Sequence, residues 1–568
     1  MSQNKKNTPQ KKATNTAGTQ GLPRDAESLN KLGNEAYHSG DFRKAVELYQ
    51  KALKSSPGEW TYHANLGDAY GKLGEWDKAV TNYRKAVAIN PGDDWLHNSL
   101  GIAYSFNKNY EQALQHFRRA LQLSPNATYC INIADVHKLM ENWNEAIDYY
   151  LEAVAIDPGY HSAHNSLGIE YYYQGELEEA IKHYDLAVSL EPSNAIYHAN
   201  LGDAYKKNQQ PEKAVEYYLK AIELNETDVL TFSNLGDAYR MQKSWTKAEE
   251  AYLKALEINE QSSGKETMDG TLNGLGIVYS ATREHQKAAQ YFARAIDANP
   301  DYYIYYANLG DAFRALKEWG KAAEAYHQAI QRNKKDDLVV NALGVALYSD
   351  GHYEEAIEYY QKAIELNPQK VLYYANLGNN YVKLERWYAA IETYQKALEK
   401  GSGDDSLYSG IALSLKELGK YHKAIEYYHK AITMQPDPNY YVNIGHIYSK
   451  LHQYDKSIDF CQKAIEVAKK SGLPESRFHQ FLGLAYNDRG TSFDRAGKYQ
   501  RAIEDYRKAA ALKPDDATIH HNLYLSYRAL EDYSMAQESL QQALKLQPDN
   551  EHYQGELEQL QQIAKGKR

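Results

Sequence analysis

The chain of 568 residues is 43% hydrophobic and 25% charged with a mean hydropathy of -0.72, the balance of a soluble, folded protein. Its formal charge of -10 is small for that length and argues against a molecule built to hold nucleic acid. The two cysteines, Cys130 and Cys461, exclude a disulfide framework and fit a reducing compartment, and no apolar run approaches the roughly 18 residues of a membrane span.

Residues 1–25 carry Lys5, Lys6, Lys11, Lys12 and Arg24 against Asp25, scattered among Asn, Thr, Gln and Gly. This composition predicts a disordered basic tail. No apolar segment follows the lysines as a secretory signal would require, so the chain reads as cytoplasmic.

From Ala26 onward the sequence repeats. Tyr62-His-Ala-Asn-Leu-Gly-Asp-Ala-Tyr70 returns unchanged at Tyr197 to Tyr205, and most steps between neighbouring Leu-Gly pairs, such as Leu66 to Leu100, are 34 residues. With this leucine as position 7, position 8 is small and position 20 is alanine (Ala45, Ala79, Ala113). Position 24 is aromatic (Tyr83, Phe117, Tyr150, Tyr184, Tyr218), position 27 is alanine (Ala86, Ala120, Ala153), and position 32 is often proline (Pro57, Pro91, Pro125). Apolar residues at 4, 7, 8 and 11, then at 17, 20, 24 and 27, predict two helices per unit. The small residues let helix backbones approach, and the aromatics fill the space beside them. Glycine at 15 (Gly40, Gly74, Gly175, Gly351, Gly419) suits the turn between the helices, and proline ends the second helix. One aromatic slot copied in every unit also explains 52 tyrosines against 10 phenylalanines.

The pattern resembles the tetratricopeptide repeat (TPR) family at its signature positions. It predicts an all-α solenoid of about fifteen helix-turn-helix units over residues 26–550. The resemblance implies a right-handed superhelix of about two turns with an open groove. An insertion falls near 261–268, an extended repeat near 471–515, and residues 551–568 form a capping helix with a basic end, its apolar side marked by Leu557, Leu560 and Ile563. Glu226, Glu260, Lys334 and Ser402 replace the terminal proline and mark candidate soft joints.

The repeats fall into two classes. Position 9 is Asp68, Asp135, Asp203, Asp237 and Asp311 in one, with tryptophan at 17 (Trp76, Trp143, Trp245, Trp319, Trp387) and a lysine or arginine three or four residues after the Asp. In the other, position 9 is Ile102, Ile169, Ile277, Val345 or Leu413. The classes alternate, except where repeats 6 and 7 are both of the first kind. Duplication of a two-repeat unit explains the alternation without any function.

In the family's fold, positions 2, 5, 6, 9, 12 and 13 of the first helices face the concave groove. Here those positions carry Asn65, Asn132, Asn200, Asn234, Asn308, Asn376 and Asn443 at 6 in the acidic class, and Asn98, Asn165, Asn273 and Asn341 at 5 in the other. A carboxamide offers both donor and acceptor, so a row of them can pair with a peptide backbone whatever its side chains. The row is similar to the asparagine ladder in the repeat arm of O-linked N-acetylglucosamine transferases, which holds unstructured protein segments. The competing reading has each asparagine bonding within its helix or to the adjacent repeat.

Other chemistry is absent from the sequence. Position 5 is never lysine, so the clamp by which some family members bind chaperone tails is missing. Gly264-Lys265 lacks the rest of a P-loop, and His161 with His164 has no accompanying carboxylate pattern. His63, His97, His164 and His198 share position 4, a packing slot. The expectation is a non-catalytic scaffold or adaptor that binds extended segments of other proteins, with no cofactor, metal, nucleic acid or membrane insertion. The alternatives are a substrate-recruiting arm of a separately encoded enzyme such as a glycosyltransferase, and a scaffold that self-associates through its convex helices.

Overall fold

The computed structural model describes residues 25–262, 264, 268–401 and 403–566. Of the expected basic tail only Asp25 falls within them, and its carboxylate caps the first helix by accepting from Ser28 N at 2.7 Å. Ser402, one of the expected soft joints, lies outside the described residues, and the insertion near 261–268 is described only in part.

The described residues form thirty-one helices and no strand. In each repeat a first helix such as Trp60–Lys72 is followed by a second such as Trp76–Ile89, and every second helix begins at position 17 of the repeat. Between the two helices, position 15 takes a left-handed conformation. Glycine accepts it readily (Gly175 at φ 87°, Gly351 at φ 88°), whereas Lys108, Lys243 and Lys317 adopt it at φ 58–61° with a side chain attached. Near 261 a second helix runs three residues longer than most, Trp245–Gln261, and the extended repeat holds a first helix of 20 residues, Ser476–Arg495.

The chain divides into two compact units at Val278/Tyr279, within the helix Asp269–Ala281. In the N-terminal unit, Ala26–His38 packs on Phe42–Ser55, which packs on Trp60–Lys72, and the order continues to Trp245–Gln261. The C-terminal unit repeats the scheme from His285–Ala298 to Tyr533–Leu546. It ends on Glu551–Gly566, which buries Tyr553 and Leu560 against Tyr524 and Leu540 and leaves Ile563 exposed.

The core of each unit is built from the repeated small and aromatic slots. Ala45, Ala79, Ala113 and Ala146 at position 20, and Ala52, Ala86, Ala120 and Ala153 at 27, are fully buried. Position 8 is small because the position-24 ring lies flat across it. A Cβ added at Gly168 would sit 2.5 Å from the Tyr184 ring, and one at Gly202 would sit 2.7 Å from Tyr218. The close approach is therefore helix backbone to aromatic face, rather than backbone to backbone.

The position-4 histidines also have a local reason. Each reaches back to the proline that closed the preceding helix. His63, His97 and His164 place Nε2 3.2 Å from the carbonyls of Pro57, Pro91 and Pro158, and His198 lies 3.0 Å from that of Pro192. Tyr306 and Tyr374 donate to the Pro300 and Pro368 carbonyls from the same slot at 3.2 and 3.1 Å. Both cysteines are free and buried, and burial pushes their thiols up to about 12, away from thiolate chemistry.

Candidate functional site

Within each unit, first helices of consecutive repeats approach one another, as Trp60–Lys72 does Ala26–His38 and Val371–Lys383 does Tyr303–Ala315's successor Asp337–Ser349. Their facing sides carry the asparagines. The position-6 amide of one repeat donates to the position-5 amide of the repeat before it. Asn132 Nδ2 lies 2.7 Å from Asn98 Oδ1, Asn200 lies 2.8 Å from Asn165, and Asn376 lies 2.9 Å from Asn341. Asn65 completes the set by donating to Asn30 at 2.9 Å and Asn34 at 3.3 Å.

Positions 5 and 6 point about 100° apart on one helix. They converge here because they belong to opposite sides of one junction. A second tie sits beside the amide pair: Tyr129 donates to Asp94 at 2.7 Å and Tyr373 to Asp337 at 2.6 Å, from position 3 to position 1 of the preceding repeat. Tyr197 takes the same place against His161 Nδ1 at 2.8 Å. The two repeat classes are thus the two halves of a bonded pair.

The remaining candidates take other partners. Repeat 7 follows a repeat of its own class, with no asparagine at position 5. Asn234 turns instead to Asp203 Oδ1 at 3.0 Å and accepts from Lys206 Nζ at 2.9 Å. Asn443 donates to Asn439 O in its own helix at 3.0 Å and accepts from Lys416 at 3.3 Å. Asn273 and Asn308 are half-buried, and each engages a partner. Asn98 and Asn341 are 7% and 9% exposed, so their pairing leaves them little solvent, whereas Asn65, Asn132, Asn165, Asn200, Asn234, Asn376 and Asn443 are half-buried. Each bonded pair spends one N–H and one carbonyl lone pair and keeps further donors and acceptors. Asn487 and Asn522 form another such pair at 3.0 Å, hidden in the sequence by the extra residues of repeat 14.

The position-9 aspartates are buttresses. Each accepts from the position-24 tyrosine fifteen residues on: Tyr218 to Asp203 at 2.5 Å, Tyr252 to Asp237 at 2.7 Å, Tyr326 to Asp311 at 2.7 Å, and Tyr150 to Asp135. Lys206, Arg240 and Arg314 pair with Asp203, Asp237 and Asp311 at 3.7, 3.1 and 2.9 Å. Burial holds the Asp68 and Asp203 carboxyls above the usual carboxylate range, partly offset by these partners. Where position 9 is aliphatic, position 24 is no longer always tyrosine. Phe117 and Phe292 stand opposite Ile102 and Ile277, and Tyr428, opposite Leu413, keeps a buried Oη with no hydrogen-bond partner. Tyr428→Phe should leave the denaturation midpoint unchanged or raise stability by up to about 1 kcal/mol, since it removes an unsatisfied polar group; a loss above that would show that the hydroxyl has a partner.

In the C-terminal unit these residues enclose a cavity of about 260 Å³ lined by Asn379, Leu413, Tyr428, Asn439, Tyr440 and Asn443, among others. Its lining combines the amides of Asn379, Asn439 and Asn443 with the apolar Leu413. Near the end of the chain His521 Nε2 lies 2.6 Å from Glu556 Oε2 with the exposed His552 3.6 Å away, a polar cluster joining the last helix to Ala517–Ala529. No described helix is long and apolar enough to cross a membrane.

Paired helices stacked in register, with a polar face shared among the first helices, define an α-solenoid interaction module. Models described as tetratricopeptide repeat match residues 59–126, 228–301 and 437–515; 195–228, 341–370 and 406–438; 98–161 and 273–337; and 371–399 and 517–550. A further model, described as TPR repeat, matches 33–74 and 170–209. The chain belongs to the tetratricopeptide repeat family.

It is 30% identical over 112 residues to the peroxisomal targeting signal receptor of Kluyveromyces lactis, a match covering 20% of this chain and 18% of that protein. Among solved structures it is similar to Naa15/Naa10 bound to HypK-THB (14% identity, TM-score 0.34, covering 95% of this chain and 96% of that one). It is also similar to the APC/C hetero-tetramer Cut9-Hcn1 (17% identity, TM-score 0.30, covering 94% and 96%).

Proposed function

We propose that this protein is a non-catalytic scaffold that holds extended segments of other proteins along the first-helix face, with Asn65, Asn98, Asn132, Asn165, Asn200, Asn234, Asn273, Asn308, Asn341, Asn376 and Asn443 as its rungs. The observation that carries this reading is the pairing of amides at alternate junctions. Pairing fixes the carboxamide planes of the paired rungs, and the half-buried member of each pair (Asn132, Asn200, Asn376) keeps donors and acceptors for a backbone laid across it. The buttressing of Asp203 and Asp237 by tyrosine and base keeps this face rigid. The cavity around Leu413 supplies a place for an apolar side chain. A row of this kind is similar to the asparagine ladder of O-linked N-acetylglucosamine transferases, and it favours backbone over side-chain recognition.

The test uses a permanently unfolded polypeptide, reduced and carboxymethylated α-lactalbumin, measured by fluorescence anisotropy. The variant replaces asparagines as pairs, Asn165→Ala with Asn200→Ala and Asn341→Ala with Asn376→Ala, so that no buried partner is orphaned. Binding should weaken tenfold or more at roughly 0.5–1.5 kcal/mol per lost hydrogen bond, while circular dichroism stays that of wild type. Equal binding by the two proteins would sink the reading.

A further inference from the structure

One junction in the N-terminal unit, that of repeats 4 and 5, differs from the junction of repeats 2 and 3 in three ways at once. At the junction of repeats 2 and 3, Trp76 at position 17 stacks on Phe106 at position 13 of the next repeat, with centroids 4.4 Å apart and planes within 7°. The corresponding residues of repeats 4 and 5 are Trp143 and Tyr173. These are 45% and 78% exposed and line a cavity of about 590 Å³.

The second departure is charge. Position 19 carries a lysine over the position-11 ring in many repeats, as in Lys78 over Tyr70 at 5.3 Å and Lys213 over Tyr205 at 4.9 Å. Repeat 4 has Glu145 there instead, on the cavity wall. With Glu141 and Glu170 the wall presents three carboxylates against the ammonium of Lys138.

The third departure is Glu170 itself. It occupies position 10, where Ala69, Ala103, Ala204, Ala238 and Ala346 are buried, and it is 3% exposed. Lys138 Nζ lies 2.9 Å from Glu170 Oε1 and is the one cation on the cavity wall. A carboxylate placed in an alanine slot is costly unless a cation and donors offset it.

We propose that this cavity binds the guanidinium of an arginine side chain from a partner polypeptide. The cavity suits a flat cation, because Trp143 and Tyr173 are exposed rings on its wall and a guanidinium can stack on such a ring. Its five N–H donors can serve Glu170 Oε1 and Glu145 together. Lys138, whose side chain is 38% exposed, swings out to solvent as the guanidinium enters. A lysine ammonium satisfies the carboxylates but forfeits the stacking, and a trimethylated lysine stacks but has no N–H for Glu170. The site rests on the reading that partners present chain to this protein, yet its test does not depend on the asparagine rungs.

The probe is acetyl-Gly-Arg-Gly-amide, titrated into the full chain by calorimetry at low salt. A dissociation constant of about 1 mM is expected for one stacked, ion-paired side chain. Tyr173→Ala, at an exposed position, and Glu170→Gln, which keeps the shape, should each weaken binding at least tenfold. The lysine analogue should bind at least fivefold more weakly. Either variant binding like wild type, equal affinity for the lysine or trimethyl-lysine peptide, or no heat up to about 20 mM overturns the proposal. Free L-arginine binding more tightly than the blocked peptide overturns it in favour of a small-molecule site.

Discussion

Tyr218→Ala is expected to cost about 3–5 kcal/mol of local stability. The side chain is fully buried, its ring covers Gly202, and its hydroxyl donates to Asp203 at 2.5 Å. Truncation opens a cavity that helices pinned by their neighbours cannot close. It also leaves the Asp203 carboxylate, in an environment that already disfavours its charge, with only Asn234 and Lys206. Tyr218→Phe keeps the ring and should cost about 1–2 kcal/mol, the hydrogen bond alone. Each repeat leans only on its neighbours, so the damage should be local. Hydrogen exchange should speed up in Ala195–Lys207, Pro211–Leu224 and Val229–Met241 and stay at wild-type rates in Tyr533–Leu546. Uniform acceleration along the chain would mean that the array unfolds as a single unit.

Acidification should weaken repeats 3 and 5 before the rest. His97 Nδ1 faces His116 Nδ1 at 3.0 Å, and His164 faces His183 at 3.1 Å. Burial, then repulsion from the paired imidazole, brings His116 and His183 down to about 4 from an ordinary 6.5. The unfolded chain takes up a proton at 6.5 that the fold refuses until about 4. Stability is therefore complete above 6.5, falls as pH drops through that value, and reaches its floor near 4. His116 is half-exposed, so solvent screening reduces the effect to about 1–2 kcal/mol per pair. Repeat 6 shows the remedy, since its His198 stacks on Tyr217 instead, with centroids 6.1 Å apart. Thermal melts at pH 7.5 and 5.0 should differ for wild type and much less for His116→Tyr/His183→Tyr. An unchanged slope in that variant would place the acid sensitivity in other groups.

The repeat and its two helices were legible because each position obeys a local rule: alanine where helices cross, an aromatic beside it, and proline after the second helix. Alternation of the classes was also visible, but its cause was not. The bond from Asn200 to Asn165 joins residues 35 apart, and nothing in a single repeat states which neighbour position 6 will meet. The pairing of Asp203 with Tyr218 was only half written in the sequence, since every aspartate at 9 has tyrosine at 24, but so do Ile169, Val345 and Leu413, and only Ile102 and Ile277 face phenylalanine. The acidic cleft was missed for a different reason. Glu170 looks like one more surface glutamate until its slot is compared with the buried alanines of its sisters, and the spread of Trp143 from Tyr173 is a matter of three-dimensional packing.

The amide pairs also bear on how such a chain changes length. A position-5 asparagine meets a position-6 asparagine at alternating junctions such as those of repeats 3/4, 5/6 and 10/11, so like repeats do not complement one another. Gain or loss of an even number of repeats, about 68 residues at a time, keeps every rung matched. An odd step sets one class against itself and leaves a seam. One such seam lies between repeats 6 and 7, where Asn234 borrows Asp203 and Lys206 in place of an amide. Parity is thus a constraint on the array that no single repeat carries.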